Sequence, residues 1–178
     1  MKQQIKSTVT LVCICAVVAL MLAVINFITA PTIAENERIA VEKALLEVMP
    51  EGKNFEKMDI GGYGFPASIT EVYAEDGGGH VFKLTGKGYS SGMIIMCGVN
   101  ADGTISGVVC LSSGETLGYE KTFGESFVGK DAAGVESVEL IAGATKTTEG
   151  YKRVVRDALK AAEVFGIPEA LEGGAANE

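Results

Sequence analysis

The hydrophobic pattern divides the chain into one long apolar run and a remainder of short amphipathic segments. No charged residue occurs from Ser7 to Ala34, and Val9 to Ile28 is almost wholly apolar. A stretch of roughly 20 such residues matches a hydrocarbon layer about 30 Å thick. It must be helical there, because lipid offers the backbone no hydrogen-bond partner. Pro31 marks the expected exit. From Glu35 to Met49 the pattern changes to a helical one: Val41, Ala44, Leu45 and Val48 share a face, while Glu37, Arg38, Glu42, Lys43 and Glu47 cover the rest. Pro50-Glu51-Gly52 stops that helix. Short apolar runs between Gly-rich turns then predict strands over Phe55–Ile60, Ile69–Ala74, His80–Thr85, Met93–Val99, Thr104–Leu111 and Val138–Ile141. The turn Asn100-Ala101-Asp102-Gly103 makes a hairpin of the fourth and fifth, with Asp-Gly supplying positive φ. A final helix is predicted from Thr148 to Phe165, with Val154, Val155, Ala158, Leu159, Ala162 and Phe165 as its buried stripe and Gly166-Ile167-Pro168 as its stop. The fold class is α+β: an antiparallel-rich sheet with packed helices, behind one N-terminal transmembrane helix.

The expected organisation is a cytoplasmic N-terminus (1–7), a transmembrane helix (8–30), one extracytoplasmic domain (31–168) and a flexible tail (169–178). A cleaved signal peptide is the rival reading of the first segment, with Thr32-Ile33-Ala34 as a small-residue site. Signal cores run to about 7–15 residues, shorter than this one, which favours a retained anchor. Lys2 and Lys6 precede the span, whereas Glu35 and Glu37 follow it. The positive-inside tendency therefore keeps the N-terminus in the cytoplasm and the domain outside.

Composition narrows the function. With 178 residues, 47% of them apolar, the chain can bury a core, so its 23 glycines signal turns rather than disorder. The net charge of −8 and the lack of a basic cluster exclude nucleic acid as a partner. Cys13 and Cys15 lie in the apolar run, Cys97 and Cys110 stand singly in different strands, and His80 is the sole histidine. Zinc or an iron–sulfur cluster would lack ligands. Cys97 and Cys110 read as two buried thiols rather than a disulfide, since the turn between them does not place them opposite each other. His80, opening a strand, reads as a solvent-facing turn residue.

Chemistry concentrates in Ile141-Ala142-Gly143-Ala144-Thr145-Lys146-Thr147-Thr148, where an apolar segment meets the last helix. Small residues let the backbone approach a ligand, and unpaired N–H groups at a helix start favour a phosphate. Taken alone, Thr147 or Thr148 could be no more than an N-cap. Two further segments bear on it: Gly86-Lys87-Gly88-Tyr89-Ser90-Ser91-Gly92-Met93, which leads into the hairpin, and the polar loop Ser113-Gly114-Glu115-Thr116-Leu117-Gly118-Tyr119-Glu120 after it.

In this order and spacing the three segments resemble the FMN-binding domain of RnfG, the flavin-bearing component of the Rnf electron transport complex, and of its counterpart in the sodium-pumping NADH:quinone oxidoreductase. In that family a glycyl strand pair leads to a Glu-Thr-Pro-Gly-Leu-Gly-like loop. A Ser-Gly-Ala-Thr-x-Thr motif then opens the last helix, and its final threonine carries FMN through a phosphoester. The resemblance covers essentially the whole chain, including the single anchor. It implies that Thr147 is the attachment residue, that Gly143, Ala144 and Thr145 cradle the phosphate and ribityl end, and that Glu115, Thr116, Leu117 and Gly118 border the isoalloxazine ring. It also implies covalent FMN as the cofactor, the other membrane subunits of the Rnf complex as partners, and a flavin transferase for maturation. Ala142 departs from the family's Ser or Asp, Leu117 from its proline and Tyr119 from its leucine; Lys146 adds positive charge at a variable position. None of these removes the acceptor hydroxyl.

The expectation is an electron-carrying subunit of an ion-translocating ferredoxin:NAD⁺ oxidoreductase, without a catalytic acid or base of its own. The alternatives are the corresponding FMN carrier of the sodium-pumping NADH:quinone oxidoreductase and a cofactor-free anchored adaptor.

Overall fold

A computed structural model describes residues 2–116 and 118–166. Two compact units are distinguished, Met1–Val41 and Glu42–Glu178. The first belongs to helix α1 (Lys2–Val48), which is long and apolar enough to cross a membrane. Its large side chains, among them Leu11, Ile14, Leu20, Leu22 and Phe27, are exposed all round, as a lipid-facing helix requires. The helix continues through Pro31, so the expected span and the amphipathic helix after it are parts of one element. Proline removes one hydrogen bond and crowds the preceding turn. In an apolar medium the other rungs have no competing partner, and the helix continues.

In the second unit five strands form an antiparallel meander in the order β1-β2-β3-β4-β5: β1 (Glu56–Lys57), β2 (Ile69–Ala74), β3 (His80–Lys87), β4 (Ser91–Val99) and β5 (Ile105–Ser112). The hairpin closes as its turn residues dictate, with Asn100 N–H donating to Thr104 O at 2.8 Å and Gly103 N–H to Asn100 O at 3.0 Å. Helix α2 (Glu120–Phe123), a 3-10 turn (Gly124–Phe127) and helix α3 (Ala132–Glu136) follow, then helix α4 (Thr145–Val164). Val138–Ile141 is not a strand. Those residues follow α3 and approach α4 without a ladder partner, and an apolar run cannot by itself distinguish a strand from a buried connection.

Alternation along β3 and β4 sends Phe82, Leu84, Met93, Ile95 and Cys97 into a core closed by Tyr151, Val154, Val155, Ala158 and Leu159 of α4. Burying each Val or Leu contributes about 1.5–3 kcal/mol, so α4 is held by its stripe. The stripe predicted on it is buried apart from Phe165, which is half-buried beyond the helix end. On the other side of the sheet the backbone of Val48 lies against Gly98 and Gly107. The expected stop at Ile167-Pro168 and the tail 169–178 lie outside the described residues.

His80 is another departure. It is buried, with its ring stacked on Phe165 at 4.5 Å and 8°. Burial pushes its pKa down, against a backbone hydrogen bond at Gly78 that raises it. Cys97 and Cys110 are free thiols out of register, Cys97 facing Val108 and Cys110 facing Ile95. Burial raises Cys97 to about 12.

Glu71 ties the sheet edge together, accepting from Lys57 Nζ at 2.7 Å and Tyr73 OH at 2.6 Å, with Lys83 Nζ at 3.7 Å. Burial raises its pKa, but the hydrogen bonds from Lys57 and Tyr73 and the lysine charges outweigh it, so the net shift is downward. A carboxyl whose folded pKa lies below its unfolded value of about 4.3 stabilises the fold above that value and loses the contribution as pH falls through the folded one. Near-UV dichroism in an acid titration should therefore show Glu71→Gln with less of its stability lost below pH ~4 than wild type.

Candidate functional site

Three loops meet at the N-terminal end of α4. Gly143, at φ +84°, turns the chain into the helix, and Ala144 occupies the N-cap position. Alanine cannot cap, and no side chain replaces it. The first helical bond runs from Thr148 N–H to Ala144 O at 3.0 Å. The N–H groups of Thr145, Lys146 and Thr147 thus have no intrahelical acceptor, which gives this end a concentration of donors and partial positive charge.

The threonines have different fates. Thr148 is fully buried, its hydroxyl donating to Ala144 O at 3.1 Å and Thr145 O at 3.3 Å. This is ordinary back-bonding within a helix. Thr145 is exposed. Thr147, third in the helix, sends its hydroxyl to Glu115 Oε2 at 2.6 Å, across 32 positions of sequence. The other carboxylate oxygen, Oε1, accepts Ser90 N–H at 2.9 Å. Glu115 N–H in turn donates to Ser113 Oγ at 2.9 Å. Gly88 makes the junction possible: a Cβ there would lie 2.7 Å from both Glu115 Oε1 and Thr147 Cα. Neither Thr147 nor Thr148 is the N-cap that a minimal reading of the segment allows.

A cavity of about 460 Å³ opens at this junction, lined by Tyr89, Glu115, Thr116, Tyr119, Glu120, Gly143, Ala144, Thr145, Lys146 and Thr147. Sites for small organic ligands run from roughly 300 to 1,000 Å³. Of the residues singled out in the sequence, Thr147, Gly143, Ala144, Thr145, Glu115 and Thr116 come together around this cavity. Gly118, at φ +73°, is not among the lining residues, and Leu117 lies outside the described residues. Glu115 stands at the threonine hydroxyl, a contact that motif position alone does not reveal.

Sequence reading missed Tyr89, Tyr119 and Glu120 as wall residues. The tyrosines present aromatic surface at the cavity, and their positions beside Gly88 and Gly118 were the available signal. Glu120 is 3% exposed, and its Oε2 has no hydrogen-bond partner among the described residues. Its charge, after burial itself, helps raise the half-buried Cys110 thiol to about 11. No group of three or more potential metal ligands occurs among the described residues.

Residues 88–160 match the family described as FMN-binding domain, an interval that begins at Gly88 and encloses Glu115 and Thr147. Residues 1–48 match the RnfG N-terminal region. The chain is 32% identical, over 151 residues, to the G component of the Na⁺-translocating ferredoxin:NAD⁺ oxidoreductase complex of Acetobacterium woodii, an alignment covering 75% of this chain and 72% of that one.

Proposed function

Because this chain belongs to the RnfG family, we propose that it is the FMN-carrying electron relay of a membrane-bound ferredoxin:NAD⁺ oxidoreductase, with FMN esterified to Thr147. The observation that carries the attachment is the convergence of three sequence-distant loops on one hydroxyl, at a helix end whose N–H groups have no helical acceptor.

The residues present fit the group. A side chain at the third helical position leans back over the first turn, so a phosphate on Thr147 Oγ1 would lie by the N–H groups of Thr145 to Thr147 and the ammonium of Lys146. Gly143 and Ala144 leave room beside it. The cavity wall carrying Thr116, Tyr89 and Tyr119 would receive the ring. The ring supplies the redox chemistry; the protein fixes its position and shields one side of it. No acid or base is needed on this subunit for electron transfer.

A phosphoester keeps the flavin with a domain outside the cell, where a dissociating cofactor would be lost by dilution. The orientation rests on Lys2 and Lys6 before the span and the glutamates after it. The partners of this reading are the other membrane subunits of the complex and a flavin transferase. The match of residues 1–48 to the RnfG N-terminal region favours the Rnf complex over the sodium-pumping quinone reductase.

Mass spectrometry of the peptide spanning Ile141 to Lys152, taken from native membranes, tests the reading directly. The expected peptide is heavier by one esterified FMN, and an unmodified peptide would refute it. Thr148→Val should keep the modification in full, since that hydroxyl is turned into the helix, and should change stability by no more than about 1 kcal/mol.

A further inference from the structure

We infer that Glu115 accepts the proton of Thr147 when the phosphoester forms, so that the chain carries its own base for maturation. This rests on the attachment reading above. A threonine hydroxyl within a helix ordinarily donates to a backbone carbonyl of the preceding turn, as Thr148 does. Thr147 instead donates to a carboxylate from another loop, at 2.6 Å. The carboxylate is oriented before any ligand arrives: Ser90 N–H holds Oε1, which leaves Oε2 facing the hydroxyl. Thr147 is buried, yet it lines the cavity from which a phosphoryl donor would approach. A nucleophile, a positioned base and a cluster of backbone donors near the attacked phosphate form a consistent set for phosphoryl transfer.

The chemistry balances if the donor is an FMN phosphoanhydride, such as a flavin dinucleotide. Condensation with FMN itself would have to expel water. Thr147 Oγ1 forms a bond to the FMN phosphorus, the anhydride P–O bond breaks, and a nucleoside monophosphate leaves with the bonding pair. The hydroxyl proton passes to Glu115 Oε2, and no electron is gained or lost. Once the ester has formed, Thr147 has no hydrogen left to donate. A protonated Glu115 can donate to the new phosphodiester, whereas an ionised one would face its negative charge. Retention of the proton therefore removes a repulsion from the product. Of the other titratable groups, Tyr89, Tyr119, Glu120 and Lys146 line the same cavity, and the charge of Glu115 reaches the Cys110 thiol.

The test uses full-length protein in detergent, made without the transferase and then incubated with it and flavin adenine dinucleotide. Covalent flavin is followed by mass and by in-gel fluorescence. Glu115→Gln preserves shape and the acceptor for Ser90. It should lower the maximal attachment rate by roughly 10²–10⁴-fold with little change in the KM for the target protein. Wild type should lose rate with falling pH along a limb that the Gln variant lacks, and Glu115→Asp should restore part of the rate and the limb. A Gln variant labelled within a few-fold of wild type, slowed only through KM, or retaining the same pH limb overturns the inference and leaves attachment at Thr147 standing. Failure of wild type itself to take up flavin counts against the attachment reading and against this inference with it.

Discussion

Thr147→Ala should abolish covalent flavin altogether, while Thr147→Ser should retain it at a reduced rate. Of the three hydroxyls at the start of α4, that of Thr147 meets the carboxylate anchored by Ser90. Thr148 spends its hydroxyl on the backbone and is fully buried, and Thr145 is exposed two positions nearer the helix start. Neither can replace Thr147 without moving the helix. The effect is all-or-none in the denatured protein, where a fluorescent band requires a covalent bond. In the folded protein the loss is one of retention. A tether of a few bonds confers an effective concentration in the millimolar range, and the untethered variant must bind free FMN from a dilute medium. Full-length variants matured with the transferase should therefore separate cleanly on a denaturing gel. A band of wild-type intensity from Thr147→Ala would move the attachment elsewhere.

How much of this was legible in the sequence depended on the scale of the signal. The anchor, most of the strands and the buried stripe of α4 follow from the hydrophobic pattern alone, because burial on one face writes itself into residues two or about 3.6 apart, whereas the order of the strands in the sheet does not. The hairpin was legible from Asp102-Gly103, whose conformational demand is local. Pro31 does not break α1, because a proline removes one rung and the residues on either side keep theirs. Val138–Ile141 misled because four apolar residues carry no usable period. The site divides in the same way. Gly143 and the threonines could be put at the start of the last helix from one segment, whereas the choice of Thr147 among them needed the resemblance across all three segments. The contact of Glu115 with Thr147 could be read from neither, since it is set by how far a loop 32 residues away folds back, and that distance is fixed by Gly88 rather than by any residue that performs chemistry. His80 misled for a related reason: the ring that covers it belongs to Phe165, at the far end of the domain's sequence.

Gly150→Ala should damage the site severely although it touches neither Thr147 nor Glu115. Gly150 lies one turn into α4, where the helix crosses the end of β3. A Cβ there would overlap Lys87 O outright and stand 2.9 Å from Lys87 C and 3.1 Å from Gly88 Cα. All three are backbone atoms, so no rotamer change can give way, and the helix must move off the strand. Overpacking of this kind costs about 1–3 kcal/mol and occasionally more, against a small gain in helix propensity of up to ~1 kcal/mol when alanine replaces glycine. The net loss should lower Tm by several degrees, at roughly 3–5 °C per kcal/mol for a domain of this size. All five tyrosines lie beyond residue 60, so the tyrosine band of the near-UV dichroism of the full-length protein reports this unit without the anchor. The functional consequence is the sharper one. Lys87 and Gly88 belong to the same turn that supplies Ser90, and Thr147 lies less than one helical turn before Gly150. Displacing the helix there stretches the 2.6 Å contact between Thr147 and Glu115. Catalysis by a positioned base tolerates little of that, since misplacement by about 1 Å can cost 10²-fold. Flavin attachment should therefore fall far more than stability does at temperatures well below the new Tm. Equal losses of both, or a variant labelled like wild type, would show that the approach of α4 to the β3 end does not set the geometry of the site.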